Sequence, residues 1–492
     1  MGESGIKAFH FWQIEDQKEG CSLFSGKIFG KTLMGYNISQ FIFDEGKTNP
    51  QGKERDNFMP SMYLALFIFV MTYAAMIALP KYRAHTALIS AGLMILFGFV
   101  PLAEAFHEIN WNVMMTIAGT MGLVAIFIES MMPARLADRI IDRMPDVKWV
   151  TIAISLFAGF ISAFVDNVST VLMVAPIAIV VSKKLDFSPV KMVIAISIAS
   201  NLQGAATLVG DTTSIMLAGF ADLNFMDFFF FQGKPGLFWI IQIAMLASTA
   251  FLYFYMKRDN KKVEARNLTK VEDYFPSWML LGMVLTLVIC SFIDLPEIFF
   301  LPHTAKNATG YVCMIFLLLT ILVEAKKNSF QKTMHTVLAD LDIFTLLLLA
   351  GLFIVIAGIR NAGVIDQVAR LFTRAGGKSP FLMYTLLVWA SVLFSAFIDN
   401  IPYVATMLPV VAGIAANMGI DPTVLYFGLL SGATLGGNLT PIGASANITG
   451  IGMLRKEGFE VSNKRFMSMS VPYTMIAVLV GYLLIWRFFG IG

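Results

Sequence analysis

The sequence predicts an all-α polytopic membrane protein: two inverted repeats of about five transmembrane helices, each with one re-entrant hairpin and one broken helix. Three observations carry this. The 492 residues are 57% hydrophobic and 14% charged, whereas soluble domains run near half apolar and a quarter charged. Apolar runs of the length needed to cross a bilayer, about 20 residues, recur along the chain. A seven-residue stretch centred on an Asp-Asn pair occurs twice. The net charge of +3 is too small to imply a nucleic-acid partner.

Residues 1–58 mix polar and aromatic side chains without a spanning run. They form an N-terminal polar segment with no assigned role, and no cleavable signal peptide is visible. The first repeat is expected over 59–256, with spans near 60–80, 86–105, 112–132 and 237–256. Between these lie an apolar stretch interrupted by Asp-Asn at 149–183 and a Gly-broken stretch at 190–219. A basic linker on the cytoplasmic side follows at 257–275. The second repeat, 276–492, has spans near 276–294, 307–325, 342–360 and 468–489, with the interrupted stretch at 380–416 and the broken one at 422–453. Cys21, Cys290 and Cys313 are far apart and are read as small hydrophobes. The five histidines show no zinc-ligand spacing.

The interrupted stretches are read as hairpins. From 149 the chain is apolar to Phe164, then reads Val165-Asp166-Asn167-Val168-Ser169-Thr170, then is apolar to Val181. One straight helix would be too long and would bury Asp166 at the membrane centre. Two short helices meeting at a polar tip fit, because irregular backbone at depth is allowed only where protein or a wet cavity surrounds it.

Ser162-Ala163-Phe164-Val165-Asp166-Asn167-Val168 recurs 233 residues later as Ser395-Ala396-Phe397-Ile398-Asp399-Asn400-Ile401. The same offset carries Pro176 to Pro409, Gly204 to Gly437, Thr207 to Thr440 and Gly210 to Gly443. Five crossings plus one hairpin per half make the second repeat enter from the opposite face. Inverted repeats with broken helices are a common transporter plan.

The polar constellation follows from this plan. An ionisable residue in the bilayer costs at least ~2.5–3.5 kcal/mol, so it is kept when it is paired, solvated or functional. The candidate ion- and substrate-binding residues are Asp166, Asn167, Ser169 and Thr170 on the first hairpin, and Asn201, Thr207, Gly210, Asp211 and Thr212 on the first broken helix. Asp399 and Asn400 lie on the second hairpin, and Asn438, Thr440, Gly443, Ser445 and Asn447 on the second broken helix. Hydroxyls, amides, freed carbonyls and carboxylates are hard oxygen donors suited to Na⁺ or H⁺. Na⁺ is the expected metal, at Asp166, Asp211 and Asp399. No other cofactor is expected. No Lys or Arg lies in these four segments near the tips, which disfavours a polyanionic substrate; an Arg or Lys found at the tips would favour an anion. Clustered, desolvated carboxylates are expected to exchange protons near neutral pH. Glu129 is read as an interfacial residue.

Lys and Arg mark the cytoplasmic loops. Lys81 and Arg83, the residues around both ends of the first hairpin, the 257–270 loop, Lys326 to Lys332 and Arg455 to Arg465 are placed inside. Loops 103–111, 220–236 and 295–306 are placed outside. Arg360, Arg370, Arg374 and Lys378 run against this pattern.

The hairpin tips, Asn110-Trp111-Asn112 and the run from Gly436 to Asn447 resemble the ion transporter superfamily over about residues 60–490. That group includes D-type sodium/proton antiporters, arsenite permeases, the P protein and citrate or dicarboxylate permeases. Dicarboxylate symporters carry Ser-Asn-Thr at both tips, where this chain has Asp-Asn, and Gly210-Asp211-Thr212-Thr213-Ser214 is closer to the antiporter branch. The resemblance implies a hairpin-bearing transport domain that moves against a scaffold, commonly in a homodimer.

The reading is therefore a multi-pass protein of the cell (inner) membrane: a secondary active transporter, not an enzyme, with Na⁺/H⁺ antiport as first choice. The alternative is an anion or oxyanion permease for arsenite, citrate or a dicarboxylate. The partners are a small ion or molecule and the lipid bilayer. An intramembrane hydrolase would need a catalytic constellation, of which only an Asp pair is present. A passive channel would not need inverted hairpins.

Overall fold

The computed structural model describes residues 55–490 except 185–186, 258–260, 262–268, 272, 294–305 and 378. The N-terminal segment expected over 1–58 therefore lies outside the described residues up to 54. So do most of the linker expected over 257–275, nearly all of the outer loop at 295–306, and Lys378.

The described chain is almost wholly helical. In the first half, α1 (Arg55–Ala78), α2 (Arg83–Leu96), α3 (Leu102–Ala105), α4 (Trp111–Glu129) and α5 (Met132–Ile141) lead to the first hairpin. Its arms are α6 (Val147–Ser162) and α7 (Asn167–Lys184). The broken helix is α8 (Val190–Gln203) and α9 (Thr212–Phe220), and α10 (Leu237–Tyr255) closes the repeat. A two-stranded β-hairpin pairs Phe230 with Pro235 and Phe231 with Lys234 just before α10.

The second half repeats this order. It comprises α11 (Phe275–Cys290), α12 (Ala308–Lys327), α13 (Phe330–Asp340), α14 (Ile343–Asn361) and α15 (Val364–Gly376). The second hairpin is α16 (Pro380–Ser395) and α17 (Asn400–Met418). The second broken helix is α18 (Thr423–Gly436) and α19 (Ser445–Lys456), and α20 (Asn463–Ile485) closes the chain. Among the described residues, six helices are long and apolar enough to cross a membrane, and α1 with α2 forms a further bent pair.

Local chemistry sets the boundaries. Asp146 caps α6 by accepting from the Trp149 N–H at 3.0 Å, and Ser379 caps α16 by accepting from Leu382. Asn110 and Asp342 cap the corresponding helices α4 and α14 in the same way. Such caps satisfy backbone donors that a helix start leaves free. The run expected to span over 86–105 is shorter than expected. Its helix, α2, stops at Leu96, just before Gly98 takes a φ of 75°, and the chain bends by 120° between α1 and it.

The two halves embrace each other. α2 packs along α14, and α12 packs along α4, so each repeat contributes its early helix to the other's long span. Both crossings depend on equivalent glycines. A Cβ on Gly119 would lie 2.6 Å from the Cys313 carbonyl carbon, and one on Gly351 would lie 2.7 Å from that of Ala87. Small residues let helix backbones approach closely where lipid supplies no hydrophobic drive. Beyond this frame, the hairpins and broken helices interlock: α19 packs on α7 and α8, and α9 packs on α17. Arg360, which ran against the loop pattern, is paired with Glu108 at 2.8 Å. Glu129, at the end of its span, is paired with Lys332.

Candidate functional site at the interlocked hairpins

Each hairpin turn is stitched to the break in its own repeat. The Thr207 hydroxyl donates to the Ala163 carbonyl, and the Thr440 hydroxyl donates to that of Ala396, the equivalent atom. Gly210 and Gly443 press against the hairpin carbonyls: a Cβ on Gly210 would meet the Ala163 oxygen at 2.9 Å, and one on Gly443 the Ala396 oxygen at 2.8 Å. Ser200 donates to the Asn167 carbonyl at 3.0 Å and Ser395 to the Ala433 carbonyl at 2.5 Å. Hydroxyls of the broken helices thus satisfy hairpin carbonyls, and Ser395 of the second hairpin donates in the reverse sense to Ala433, as irregular backbone at depth requires.

A second network crosses between repeats. The Asn167 amide donates to the Asn201 side-chain oxygen at 2.9 Å. The Asn201 amide donates to the Thr434 carbonyl at 2.8 Å and to Asn438 at 3.2 Å. The Asn438 amide donates to the Ile198 carbonyl at 2.8 Å. Thr213 links its hydroxyl to Thr434 at 3.3 Å and donates to Asp211 at 2.8 Å. Asn201, Asn438, Thr213 and Thr434 are fully buried.

The three carboxylates differ. Asp166 caps its own hairpin arm, accepting from the Ser169 N–H at 3.0 Å. Asp211 is buried, with only 5% of its surface exposed, and lies within electrostatic reach of both Asp166 and Asp399. Among the described residues neither Asp166 nor Asp211 pairs with a cation. Asp399 accepts from the Ile401 N–H and the Ser445 hydroxyl, and forms an ion pair with Arg83 at 2.8 Å. The expectation that the tips have no fixed cation is therefore overturned at Asp399. Arg83 comes from outside the four segments, delivered by the bend between α1 and α2. Nor do the three carboxylates close on one point. Among the described residues no group of three or more His, Cys, Asp or Glu is placed to hold a metal ion.

The remaining candidates are placed as follows. Thr170 donates to the Val165 carbonyl, and Thr212 is buried at the start of α9. Asn400 accepts from Ser395 at 2.6 Å inside its own hairpin. The Asn447 amide donates to the Gly437 and Thr440 carbonyls, and its buried oxygen has no partner among the described residues. The sequence reading missed Arg83, Tyr73, Thr213 and Thr434, and the hairpin serines Ser162 and Ser395. The serines stood in the repeated heptamer and carried a signal. Arg83 stood in a short polar turn and was absorbed by the loop-charge count.

The comparisons with known proteins agree with this geometry. Residues 64–432 match the family described as Citrate transporter (CitMHS). An uncharacterized transporter of Mycobacterium tuberculosis (strain H37Rv) is 30% identical over 440 residues, covering 87% of this chain and 99% of that protein. The P protein of Homo sapiens is 27% identical over 459 residues, and the match covers 54% of its length, about half. The Alcanivorax borkumensis YdaH transporter structure aligns over 88% of this chain and 98% of its own, with a TM-score of 0.56 at 14% identity. The Neisseria gonorrhoeae MtrF structure aligns over 88% and 96%, with a TM-score of 0.52 at 13% identity. At that identity the two structures speak for the fold alone. A family match over most of the chain, on a fold with inverted hairpins and broken helices, makes this protein a member of the CitMHS citrate transporter family and an integral, multi-pass membrane transporter.

Proposed function

We propose that this transporter exchanges Na⁺ for H⁺ through Asp166 and Asp211, at the junction of the two repeats. The observation that carries this reading is Asp211, a buried carboxylate without a basic partner among the described residues. A desolvated carboxylate must be neutralised by a proton or by a bound cation. Neutralisation by one or the other, at one group, is exchange. Asp166 lies within electrostatic reach and adds a second acidic position. The same proposal places the protein in the cell membrane as a homodimer, on the strength of its family resemblance.

A second reading is favoured by Arg83. If the guanidinium leaves Asp399, a fixed positive charge faces the hairpin tip, and a small carboxylate or oxyanion becomes the cargo moved with the cation. The description of the matched family supports this alternative.

Flux into proteoliposomes separates the two. Na⁺, Li⁺, arsenite and citrate are offered under imposed pH gradients. Antiport predicts Na⁺ or Li⁺ movement against protons without any anion. Citrate or arsenite accumulation without Na⁺/H⁺ exchange would replace the antiport reading with the second one.

A further inference from the structure

The two hairpin tips are not held alike. At the first, Asp166 accepts from its own helix. At the second, the bent pair α1–α2 reaches over the tip. Arg83 pairs with Asp399 at 2.8 Å, and the Tyr73 hydroxyl bonds to the Pro402 carbonyl and the Thr406 hydroxyl. A small cavity, lined by Tyr73, Met76, Arg83 and Asp399, lies inside this clasp. α2 packs on α14, in the frame outside the interlocked hairpins. All three contacts therefore run from the frame to the hairpin, and relative movement of the two must break them.

We propose that Arg83 is a tethered cation that occupies Asp399 until the coupling cation displaces it, so that the second hairpin is released only when that cation arrives. One carboxylate at 13% exposure cannot serve a guanidinium and a bound cation equally. When Na⁺ takes the Asp399 carboxylate, the charge-assisted bond to Arg83 is lost, and only the weaker neutral bonds of Tyr73 remain. When no cation is present, Arg83 returns and the empty carrier stays latched. The charged and titratable groups facing Asp399 are Arg83 from α2, Tyr73 from α1, and Asp211 within electrostatic reach. This rests on cation coupling, and not on whether the other cargo is a proton or an anion.

The test uses the full chain in proteoliposomes with Met76→Cys as reporter. Met76 lines the cavity and is only 3% exposed. Its modification by a membrane-impermeant thiol reagent is read at that residue by mass spectrometry, with native cysteines left in place. With Arg83 intact, modification is slow and rises roughly tenfold on adding saturating Na⁺ at constant pH. In Arg83→Gln it is fast without Na⁺, and in Arg83→Lys the dependence returns. Should Arg83→Gln not fold, Tyr73→Phe serves: it labels faster than the parent and still responds to cation. Slow, cation-independent modification in Arg83→Gln, or no response in the parent, overturns the latch. A cation response without Na⁺/H⁺ flux upholds the latch and removes the antiport reading.

Discussion

Asn201 donates its side-chain amide to the main-chain carbonyl of Thr434 at 2.8 Å, and Thr434 is its own counterpart, 233 residues on, in the second repeat. The bond therefore lies where the two repeats' equivalent positions meet. A cluster of side-chain hydrogen bonds gathers around it: Asn167 of the first hairpin on one side, Asn438 and Thr213 on the other.

Removing that amide should be expensive. Asn201→Ala removes the bonds that the Asn167 amide, the Asn438 oxygen and the Thr434 carbonyl make to it, the first two from buried side chains. An unsatisfied buried group costs about 1–3 kcal/mol, so thermal unfolding in detergent should shift down well beyond the effect of a surface change. Thr434→Val keeps the carbonyl that Asn201 uses, and should cost clearly less. Equal losses in the two variants would contradict the network.

The glycine crossings give a second, independent prediction. Gly351→Val and Gly119→Val each place a side chain into the backbone of the facing helix. Overpacking of this kind costs about 1–3 kcal/mol or more. Both variants should lose folded yield on size-exclusion chromatography, whereas Gly92→Val, where a Cβ meets nothing within 4 Å, should behave as the parent.

Met131 precedes α5 with a φ of 61°, and its counterpart Gly363 precedes α15 with a φ of 74°. A left-handed conformation costs an ordinary residue roughly 1–2 kcal/mol, and glycine much less. Met131→Gly should therefore raise the melting temperature, as the second repeat already implies. An unchanged or lower value would mean that the Met131 side chain contributes more than its backbone strain.

The pair between Arg360 and Glu108 should matter little. The Arg360 side chain is 50% exposed, and exposed pairs are worth ~0–1 kcal/mol. Arg360→Ala should melt within a degree or two of the parent, and less differently still at high salt.

Much of the architecture was legible because a hairpin tip writes itself into an apolar sequence. Asp166 and Asp399 interrupt runs that nothing else interrupts, and the repeated heptamer pairs them without any structure. Except for the run at 86–105, spans read from hydropathy fell close to the helices, because about 20 apolar residues have few alternatives in a bilayer. The bend between α1 and α2 was not legible. Its short turn, Pro80-Lys81-Tyr82-Arg83, has the composition of an ordinary cytoplasmic loop, and only packing brings Arg83 to Asp399. The cross-repeat bonds were hidden for a related reason. The repeat equates Asn201 with Thr434, but pseudo-symmetry does not say that equivalent residues touch. The divergence of the repeats was visible and underused: Asp211 has Ala444 as its counterpart, so the acidic character of the broken helices belongs to one repeat alone.

The most direct measurement is pH-driven Na⁺ uptake by Asp211→Asn in proteoliposomes, beside the parent and with equal folded protein confirmed by thermal unfolding. Asparagine keeps the shape of the side chain and its contact with Thr213, but neither gains nor loses a proton. Loss of exchange with unfolding unchanged is the predicted result. Exchange at the parent's rate would show that Asp211 does not carry the transported charge, and the proposed site would be wrong.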